Sequence, residues 1–545
     1  MTNRYGIVID IGTSGLRAQS IDLSTNKVIA TAITLRHPLP GANVMDHLHF
    51  AIDVGREFSH QLIIKALNSL LERIAIDLSM VDRVAVCGNP IQLSLFQNME
   101  IRDLAYAGDK AKAKLGVDNV RRDMKIIKAG SLGLAINPEA DVYIPPAVQH
   151  EIGADALAMM YETDFLNTKD ITMVTDFGTN AEMALKVGDE IFTGSAAAGP
   201  AIEGQHIKQG MLAAPGAISE IELVPGTTFL KTYALNDLLI ATESDTIDPL
   251  TGEIKKEVGK RVKGITGTGI IALVSSGLES GLMKPGKILN QDKAVRLQNG
   301  IVFDQEDYEE VGKTIAAFTA GHITLATECG ISLKDIKSMY MSGASGTYMN
   351  SLKAARIGLI PGTVQRTVQA GNTSLAMARD IVIKPELIDY LQGLANSIRA
   401  RHIMFANSKV FENAFAIELG VWTQGMSFEG EDKMRKHFGL EPRPPLNNNI
   451  EVVKLVQRDI QDLGANGLTV VEDIGIHLEQ LIEECVGDLR CVKACVEGAI
   501  SVNKEGNYWK IVICSDKCMG TACRRCERAC KQRVLHLEQL IMSRS

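Results

Sequence analysis

Residues 5–23 read YGIVIDIGTSGLRAQSIDL, and this stretch decides the fold of the N-terminal part of the chain. An apolar segment from Gly6 to Ile11 runs into the polar turn Gly12-Thr13-Ser14-Gly15, and a second amphipathic segment follows. The pattern predicts a β-hairpin whose glycine- and hydroxyl-rich tip is preceded by Asp10. Such a tip offers backbone N–H groups and hydroxyls to phosphate oxygens, and the carboxylate can hold Mg²⁺ through water.

The same pattern recurs at residues 171–186, which read ITMVTDFGTNAEMALK. An apolar segment again ends in an aspartate, Asp176, and Gly178-Thr179-Asn180 forms the turn. Two Asp-x-Gly-Thr hairpins in one chain predict a duplicated fold that clamps the phosphates of a nucleotide between its halves. We expect Asp10 and Asp176 to organise Mg²⁺, and the residues on the phosphates to be Gly12, Thr13, Ser14, Gly178, Thr179 and Asn180. Glu182 is a candidate base or water-positioning residue, and a structural role on its strand is the alternative.

Two further glycine-rich segments extend the predicted nucleotide site. The segment from Gly343 to Gly346 follows the apolar residues 338–341 and precedes a helical pattern, which suits a loop along an adenosine because glycine permits close approach. The segment Gly267-Thr268-Gly269-Ile-Ile-Ala matches G-x-G-x-x-A, but no buried strand precedes it. We interpret it as a helix N-terminus that faces the ATP phosphates. No G-x-x-x-x-G-K-[ST] loop is present, so the chain is not a P-loop ATPase.

Eight of the ten cysteines lie close together near the C-terminus. They are Cys485, Cys491, Cys495, Cys514, Cys518, Cys523, Cys526 and Cys530. Bacterial ferredoxins use C-x2-C-x2-C-x3-C-P, and the fourth cysteine of each run binds the other cluster. Both halves end in the C-x3-C of that pattern, but their upstream spacings differ from it. We therefore predict two [4Fe-4S] clusters. One is held by Cys495, Cys518, Cys523 and Cys526, and the other by Cys485, Cys491, Cys530 and, with less support, Cys514.

Structural zinc is the main alternative for these cysteines, since C-x2-C and C-x3-C also suit tetrahedral sulfur sites. Zinc modules more often include histidine, and the nearby one is His536. A disulfide framework needs an oxidising compartment, and the N-terminus shows no basic-then-apolar leader. The basic residues around the second half either offset the negative thiolates and sulfides or form a docking face for an acidic redox partner.

Composition bounds the class of protein. A chain of 545 residues is too long for one core, so two or three globular units are expected. The net charge of −8 argues against a nucleic-acid partner. No apolar run reaches about 18 residues, so no transmembrane helix is predicted. Together with the missing leader, this predicts a cytoplasmic protein without a membrane partner.

The domain bounds follow from the motifs and from one proline- and asparagine-rich segment. Residues 441–449 contain three prolines and three asparagines, which favour turns over helix. We predict an α/β protein with a first lobe at 1–170, a second lobe with the adenosine region at 171–440, a linker at 441–449 and an α+β iron–sulfur domain at 450–545.

The N-terminal four-fifths of the chain resembles the ASKHA superfamily of actin, sugar kinases and large heat-shock chaperones. More narrowly, it resembles the ATP-dependent reductive activators of corrinoid proteins. The motifs that carry this resemblance are Asp10-Ile-Gly-Thr-Ser, Gly88-Asn-Pro90, Ile144-Pro-Pro146, Ile152-Gly-Ala-Asp155, Asp176-Phe-Gly-Thr-Asn-Ala-Glu182, Ser195-Ala-Ala-Ala-Gly-Pro-Ala-Ile-Glu-Gly204, Gly210-Met-Leu-Ala-Ala-Pro-Gly-Ala217, Gly264-Ile-Thr-Gly-Thr-Gly269, Ile357-Gly-Leu-Ile-Pro361 and Gly371-Asn-Thr-Ser374.

This resemblance implies two ribonuclease-H-like lobes, a C-terminal ferredoxin-like domain, and ATP-dependent reduction of a corrinoid methyl carrier from Co(II) to Co(I). Family members often carry an N-terminal two-iron ferredoxin domain, whereas this chain has its cysteines at the C-terminal end. That arrangement resembles the activators that serve methylamine-type corrinoid proteins in methanogenic archaea. The implied partners are a corrinoid protein and an upstream reductant whose identity is open, and a homodimer is a further option.

Three rival functions fit parts of the sequence. An activator of radical dehydratases or ring reductases would couple ATP to electron transfer, but such proteins share one cluster across a dimer. A small-molecule kinase with an accessory ferredoxin module would need a hydroxylated acceptor. An ATP-gated chaperone or scaffold would use the cysteines for structural zinc only.

Overall fold

The computed structural model describes residues 4–105, 116–117, 120–148, 152–199, 201, 206–259, 261–398 and 401–543. The chain divides into two units. The first unit comprises Met1–Ala154, Ala378–Gly393 and Asp462–Ser545, and the second comprises Asp155–Met377 and Leu394–Gln461. The C-terminal cysteines therefore share a unit with the first Asp-x-Gly-Thr hairpin.

The first hairpin forms as the sequence predicts. Its strands pair antiparallel, with Asp10 opposite Arg17. A parallel neighbour pairs with the other edge of the first strand, which is buried from Gly6 to Ile11. The elements up to residue 148 are β1 (Tyr5–Ile11), β2 (Leu16–Asp22), β3 (Lys27–Thr34), α1 (Val44–Val54), α2 (Arg56–Leu71), β4 (Val81–Gly88), α3 (Pro90–Phe96), α4 (Arg102–Ala105), β5 (Lys125–Lys128), α5 (Ala129–Leu132) and β6 (Asp141–Ile144).

The segment from residue 154 to residue 461 begins with a helix and the second hairpin. Its elements are α6 (Ala154–Tyr161), β7 (Thr172–Asp176), β8 (Asn180–Val187), β9 (Glu190–Ala197), β10 (Ala217–Leu223), β11 (Leu230–Leu235), β12 (Ala241–Ile247), β13 (Ile254–Lys256), β14 (Gly264–Ile265), α7 (Gly267–Glu279), β15 (Met283–Lys284), β16 (Lys287–Ile288), β17 (Ala294–Arg296), β18 (Val302–Asp304), α8 (Gln305–Glu328), β19 (Ser338–Ser342), α9 (Gly343–Tyr348), α10 (Ser351–Ile357), β20 (Arg366–Gly371), α11 (Thr373–Ile383), α12 (Leu387–Ile398), α13 (Lys409–Trp422), α14 (Phe428–His437) and β21 (Glu451–Lys454).

The C-terminal segment is built from short elements around the cysteines. They are β22 (Leu468–Val471), β23 (His477–Ile482), α15 (Arg490–Ala494), β24 (Ile500–Glu505), β25 (Tyr508–Cys514), α16 (Gly520–Cys523), α17 (Arg525–Ala529) and β26 (Ile541–Met542). Strands β24, β25, β23 and β26 form one sheet in that order. This small sheet with its helices is consistent with the predicted ferredoxin-like α+β domain.

The two large sheets repeat one topology. In the first unit the strand order is β22-β3-β2-β1-β4-β6-β5, and in the second it is β21-β20-β19-β7-β8-β9. In each sheet an antiparallel three-strand meander starts with the Asp-x-Gly-Thr hairpin, and a parallel strand then joins the far side of its first strand. The duplicated ribonuclease-H-like fold is thus confirmed. A separate sheet, β13-β12-β11-β10-β14, adds to the second unit.

The segment between the predicted linker and the first cysteine contributes to both large sheets. Strand β21 pairs parallel with β20 in the second unit, and β22 pairs parallel with β3 in the first. The predicted linker itself has partners in the second unit, where Arg443 Nε donates to Glu431 Oε2 at 2.8 Å and Asn447 Nδ2 donates to the Val364 carbonyl at 2.9 Å. The predicted domain bounds remain predictions, and the sheet that neighbours the cysteines begins at His477.

Among the described residues, no helix combines the length and the apolar character that a membrane crossing requires.

Candidate functional site

The tip of the first hairpin is held by polar contacts from two neighbouring elements. Asp10 is buried, and Arg17 Nη1 lies 3.1 Å from its Oδ2. Asn89, the N-cap of α3, donates from Nδ2 to Thr13 Oγ1 at 3.1 Å. A Cβ at Gly15 would lie 2.8 Å from the Thr34 carbonyl oxygen, so this position requires glycine. These contacts hold in place the loop that the sequence predicts to bind phosphate.

The second hairpin tip is held by the strand beside it. Asp176 ends β7 and stands in register with Ser342, the last residue of the parallel strand β19. The Phe177 N–H donates to the Ser342 carbonyl at 3.2 Å, and the Gly199 N–H donates to the Thr179 carbonyl at 3.0 Å. Asp176 thus lies next to Gly343, although the two residues belong to separate motifs in the sequence.

Gly343 is required by this arrangement for two reasons. Its φ is +79°, in the left-handed region, and a Cβ built on it would overlap Asp176 Oδ1. Any side chain here strains the backbone and displaces the carboxylate. Glycine at this position therefore leaves space for Asp176, the aspartate that the sequence predicts to bind Mg²⁺.

Gly343→Ala is expected to weaken Mg-ATP binding about tenfold or more, because it adds backbone strain of about 1–3 kcal/mol and pushes on Asp176. The measurement is the dissociation constant for Mg-ATP by calorimetry. Gly188→Ala is the matched control, since Gly188 has φ +63° and nothing lies within 4 Å of its built Cβ. Equal affinities of the two variants would show that the contact with Asp176 has no role.

Three carboxylates act on one another in the second unit. Glu182 is buried on β8, and burial, then Asp155, then Asp176 raise its pKa well above the usual range for glutamate. Asp155 lies in the first turn of α6. The sequence gives Asp155 no predicted role, because nothing in its motif indicates that this helix lies near β8. A divalent cation would offset this concentration of negative charge, so the donor set suits Mg²⁺.

The segment that resembles a dinucleotide fingerprint begins helix α7, as predicted. Thr266 is the N-cap and accepts from the Gly269 N–H at 3.1 Å, and Thr268 Oγ1 donates to the Ser219 carbonyl at 3.0 Å. Gly267, Thr268 and Gly269 are all buried. Gly346 follows Gly343 in helix α9, and its carbonyl accepts from Gln369 Nε2 at 3.1 Å. The contacts of these residues with ATP remain predictions.

The thiols influence one another electrostatically, and these influences agree with the predicted grouping, which remains a prediction. Burial, and then the neighbouring thiols of Cys526, Cys495 and Cys523, raise the pKa of the Cys518 thiol to about 12. Burial raises the pKa of Cys491, and there the thiols that add to the effect are Cys485 and Cys530. Thiols that raise one another's pKa in this way are near neighbours.

The surroundings of these thiols suit iron–sulfur ligation. No cysteine of the described chain forms a disulfide. Backbone N–H groups point at sulfur, from Gly487 to Cys485 Sγ at 3.5 Å and from Ala499 to Cys495 Sγ at 3.3 Å. Donors of this type stabilise negative cluster sulfur and tune its potential. Arg525 Nε also donates to Cys523 Sγ at 3.1 Å, which favours the charge-offset interpretation of the nearby basic residues.

Cys514 is the exception to this agreement. Its Sγ donates to Asp516 Oδ1 at 2.9 Å, and Asp473 offers a second carboxylate within 4.8 Å. Burial, followed by Asp516, raises the pKa of this thiol to about 12. The thiol thus faces the carboxylates of Asp516 and Asp473 at the end of β25.

Within the first unit, a continuous set of contacts joins the cysteine region to the first hairpin. The Gly41 N–H donates to the Cys518 carbonyl at 2.8 Å, just before helix α1. On that helix, His47 Nδ1 accepts from Gln92 Nε2 of α3 at 2.8 Å. The N-cap of α3 is Asn89, which contacts Thr13. These contacts form a path of hydrogen bonds and packed elements between the predicted phosphate loop and the cysteine region.

Two stacked histidines in this set should make the protein sensitive to acid. The His37 and His47 rings are 4.3 Å apart and buried, and burial lowers the pKa of His47 to about 3. Unfolding lets each bind a proton below its ordinary pKa near 6.5, so folding stability should fall by about 1.4 kcal/mol per histidine per pH unit below that value.

We expect the thermal midpoint to fall between pH 7.5 and pH 5.5, and to fall less in His47→Gln. His49→Gln is the control, because His49 is exposed on the same helix. The readout is the slope against pH, so a general loss of stability in either variant does not affect the comparison. Parallel slopes for all three proteins would contradict the assignment.

The fold and the sites together define an actin- and sugar-kinase-type ATPase joined to an iron–sulfur module. A family model of the C-terminal ASKHA domain of RACo matches residues 170–431, and a model of the RACo middle region matches residues 5–168. The chain belongs to this family of reductive activators of corrinoid proteins.

Individual relatives agree with this placement. The [Co(II) methylated amine-specific corrinoid protein] reductase of Methanosarcina barkeri is 47% identical over 519 residues, which cover 95% of this chain and 96% of that protein. The corrinoid activation enzyme RamQ of Eubacterium limosum is 25% identical over 66% of this chain and 60% of its own length. The solved reductive activator for corrinoid, iron-sulfur protein shares the fold, with a TM-score of 0.65 and 23% identity over 77% of this chain and 66% of that one.

Proposed function

We propose that this protein returns a corrinoid methyl-carrier protein from Co(II) to the reactive Co(I) state, using ATP and low-potential electrons from two [4Fe-4S] clusters. The carrier that we propose is of the methylamine type. Support for this choice comes from the relative in Methanosarcina barkeri, whose name specifies such a corrinoid protein and which aligns over nearly the whole chain.

The reaction needs a second source of free energy beside the electron donor. For a one-electron step each ~59 mV of unfavourable potential lowers the reduced fraction tenfold, so a gap of ~180 mV leaves about one cobalt in a thousand reduced. An ATP-dependent change in the protein supplies the missing free energy when it favours the state in which cobalt accepts the electron.

The observation that carries the proposal lies within the first unit. The contacts from Thr13 through Asn89, Gln92 and His47 to Gly41 and Cys518 join the predicted phosphate loop to the cysteine region. An ATPase that used its cysteines only for a distant structural zinc would not need this connection. The arrangement lets a change at the phosphate loop alter the position or the surroundings of the thiols.

We propose the following residues for each cofactor. When bound, the clusters supply single electrons at low potential, and the thiols that would hold them are the two groups centred on Cys491 and Cys518. Asp10 and Asp176 would hold Mg²⁺ through water, and their hairpin tips would bind phosphate oxygens. Burial, then Asp155, then Asp176 raise the pKa of Glu182, and a divalent cation bound nearby would favour its charged form.

The experiment is an anaerobic absorbance assay with a methylamine-type corrinoid protein in the Co(II) state. Purified protein, Mg-ATP and titanium(III) citrate are added, and the Co(I) absorbance is followed. We expect Co(I) to accumulate only when both ATP and the protein are present. A reaction with Mg-ADP in place of Mg-ATP is the control for reduction by titanium alone.

The same sample distinguishes the rival functions. A small-molecule kinase would form ADP only with a hydroxylated acceptor, and a zinc-containing scaffold would hold no iron or sulfide. If the protein turns over ATP and has a full iron content but forms no Co(I), the electron acceptor is another low-potential enzyme. This result would reject the proposed substrate.

A further inference from the structure

The two halves of the cysteine region repeat one local structure. Helices α15 and α17 are both five residues long, and they pack against each other. Each is preceded by a non-glycine residue in the left-handed conformation, Leu489 with φ 58° and ψ 20° and Arg524 with φ 45° and ψ 23°. Such residues are uncommon, so their recurrence at the same place indicates that the halves are equivalent.

This equivalence pairs the residues of the halves one by one. Cys491 and Cys526 are both the second residue of their helix, and Cys495 and Cys530 both follow its last residue in extended conformation. The residue before the left-handed position is Cys523 in the second half. In the first half it is Asp488.

The contacts of these two residues match as well. Arg525 Nε donates to Cys523 Sγ at 3.1 Å, and Arg490 Nε lies 3.2 Å from Asp488 Oδ2. In each half the arginine two residues further along the chain thus binds the atom that would ligate iron.

The spacing agrees with the ferredoxin pattern once the aspartate is counted. Cys485-x2-Asp488-x2-Cys491-x3-Cys495 is C-x2-C-x2-C-x3-C with aspartate at the second position. The second half is longer by two residues between Cys518 and Cys523, where helix α16 lies.

We infer that Asp488 supplies the fourth ligand of the cluster held by Cys485, Cys491 and Cys530, and that Cys514 is not a ligand. The inference rests on the two clusters of the proposed function. Cys514 Sγ instead binds Asp516, at the end of β25. With Asp488 counted, each cluster has four protein ligands.

A carboxylate ligand gives this cluster one exchangeable iron. Oxygen is a harder ligand than thiolate and holds iron of an iron–sulfur cluster less firmly. The Asp488 side chain is 36% exposed, so solvent reaches this position. A one-electron oxidant therefore converts [4Fe-4S]²⁺ into [3Fe-4S]⁺ with release of one Fe²⁺, and the electron passes to the oxidant.

The test is anaerobic oxidation of the full-length protein with one equivalent of ferricyanide, followed by EPR and analysis of released iron. We expect the wild-type protein to show the signal of an oxidised three-iron cluster and to release one iron per chain. In Asp488→Cys, which restores four thiolates, the signal should disappear. In Cys514→Ser the signal should be unchanged.

Several outcomes would overturn the inference. One is a three-iron signal that persists in Asp488→Cys. A second is a Cys514→Ser protein that contains one iron fewer than the wild-type protein before oxidation. A third is the absence of a three-iron signal in the wild-type protein. If Asp488→Cys does not fold, the wild-type protein alone can test the role of Asp488. When its oxidised cluster is refilled with ⁵⁷Fe²⁺, we expect a single labelled iron with the Mössbauer parameters of mixed oxygen and sulfur ligation. Parameters of all-sulfur ligation would reject Asp488 as a ligand.

The proposed function fails in a different way. Zinc in place of iron, or iron for only one cluster, would contradict the proposed pair of clusters before any oxidant is added. Two intact clusters that show no three-iron chemistry would contradict the role of Asp488 alone.

Discussion

Asp176→Asn is expected to lower ATP-dependent Co(I) formation at least about 100-fold. The substitution removes the negative charge at the end of β7 and keeps the size of the side chain, so Mg²⁺ loses a charged partner while Gly343 still leaves room. Removal of one well-placed electrostatic group costs about 10²–10³ in rate in other enzymes. The measurement is the initial rate of Co(I) formation at saturating Mg-ATP.

Asp170→Asn is the matched control, because Asp170 is exposed just before the same strand. We expect that variant to be as active as the unchanged protein. The iron content and the visible spectrum of Asp176→Asn should be normal, since the substitution lies in the other unit from the cysteines. Activity within a few-fold of the unchanged protein would remove Asp176 from the predicted Mg²⁺ site.

Cys526→Ser is expected to have an equally large effect on Co(I) formation, but through electron transfer. It removes one thiolate from the group of Cys495, Cys518 and Cys523, and the iron and sulfide contents should fall by about half. Without that cluster, the rate of Co(I) formation should fall about 100-fold or more. Binding of Mg-ATP should persist, because the hairpin residues are unchanged.

Cys329→Ser provides the comparison for this variant. Cys329 follows helix α8 in the second unit, and burial raises the pKa of its thiol to about 12. Loss of a thiol at that position should leave iron, sulfide and Co(I) formation unchanged. A full iron content in Cys526→Ser would be inconsistent with the predicted grouping of the cysteines.

The two hairpins could be predicted because the information is local. Each Asp-x-Gly-Thr turn lies between apolar segments of strand length, and its duplication gives the topology of both lobes. The predicted grouping of the thiols also rests on spacing, since in ferredoxins the last cysteine of each C-x3-C binds the other cluster. Local patterns of this kind survive in any tertiary context.

The features of the site that could not be predicted from the sequence depend on contacts between separate segments of the chain. Asp155 acts on Glu182 from a helix outside the hairpin, and no local pattern indicates that the two carboxylates are close. The importance of Gly343 for Asp176 follows from parallel pairing of strands that are more than 160 residues apart in the chain. Cys514 could be separated from the other thiols only when Asp473 and Asp516 were seen beside it.

Strand β22 has a consequence for any attempt to isolate the ATPase. It covers the edge of β3, where Thr31 Oγ1 donates to the Leu463 carbonyl at 3.0 Å and the Thr31 N–H donates to the Gly467 carbonyl at 3.0 Å. A fragment that stops at residue 449 would leave this edge bare, and β20 would lose β21 in the same way. Newly exposed edges pair with other chains, so such a fragment should aggregate, whereas a fragment cut after β22 keeps the native edge strands of both sheets.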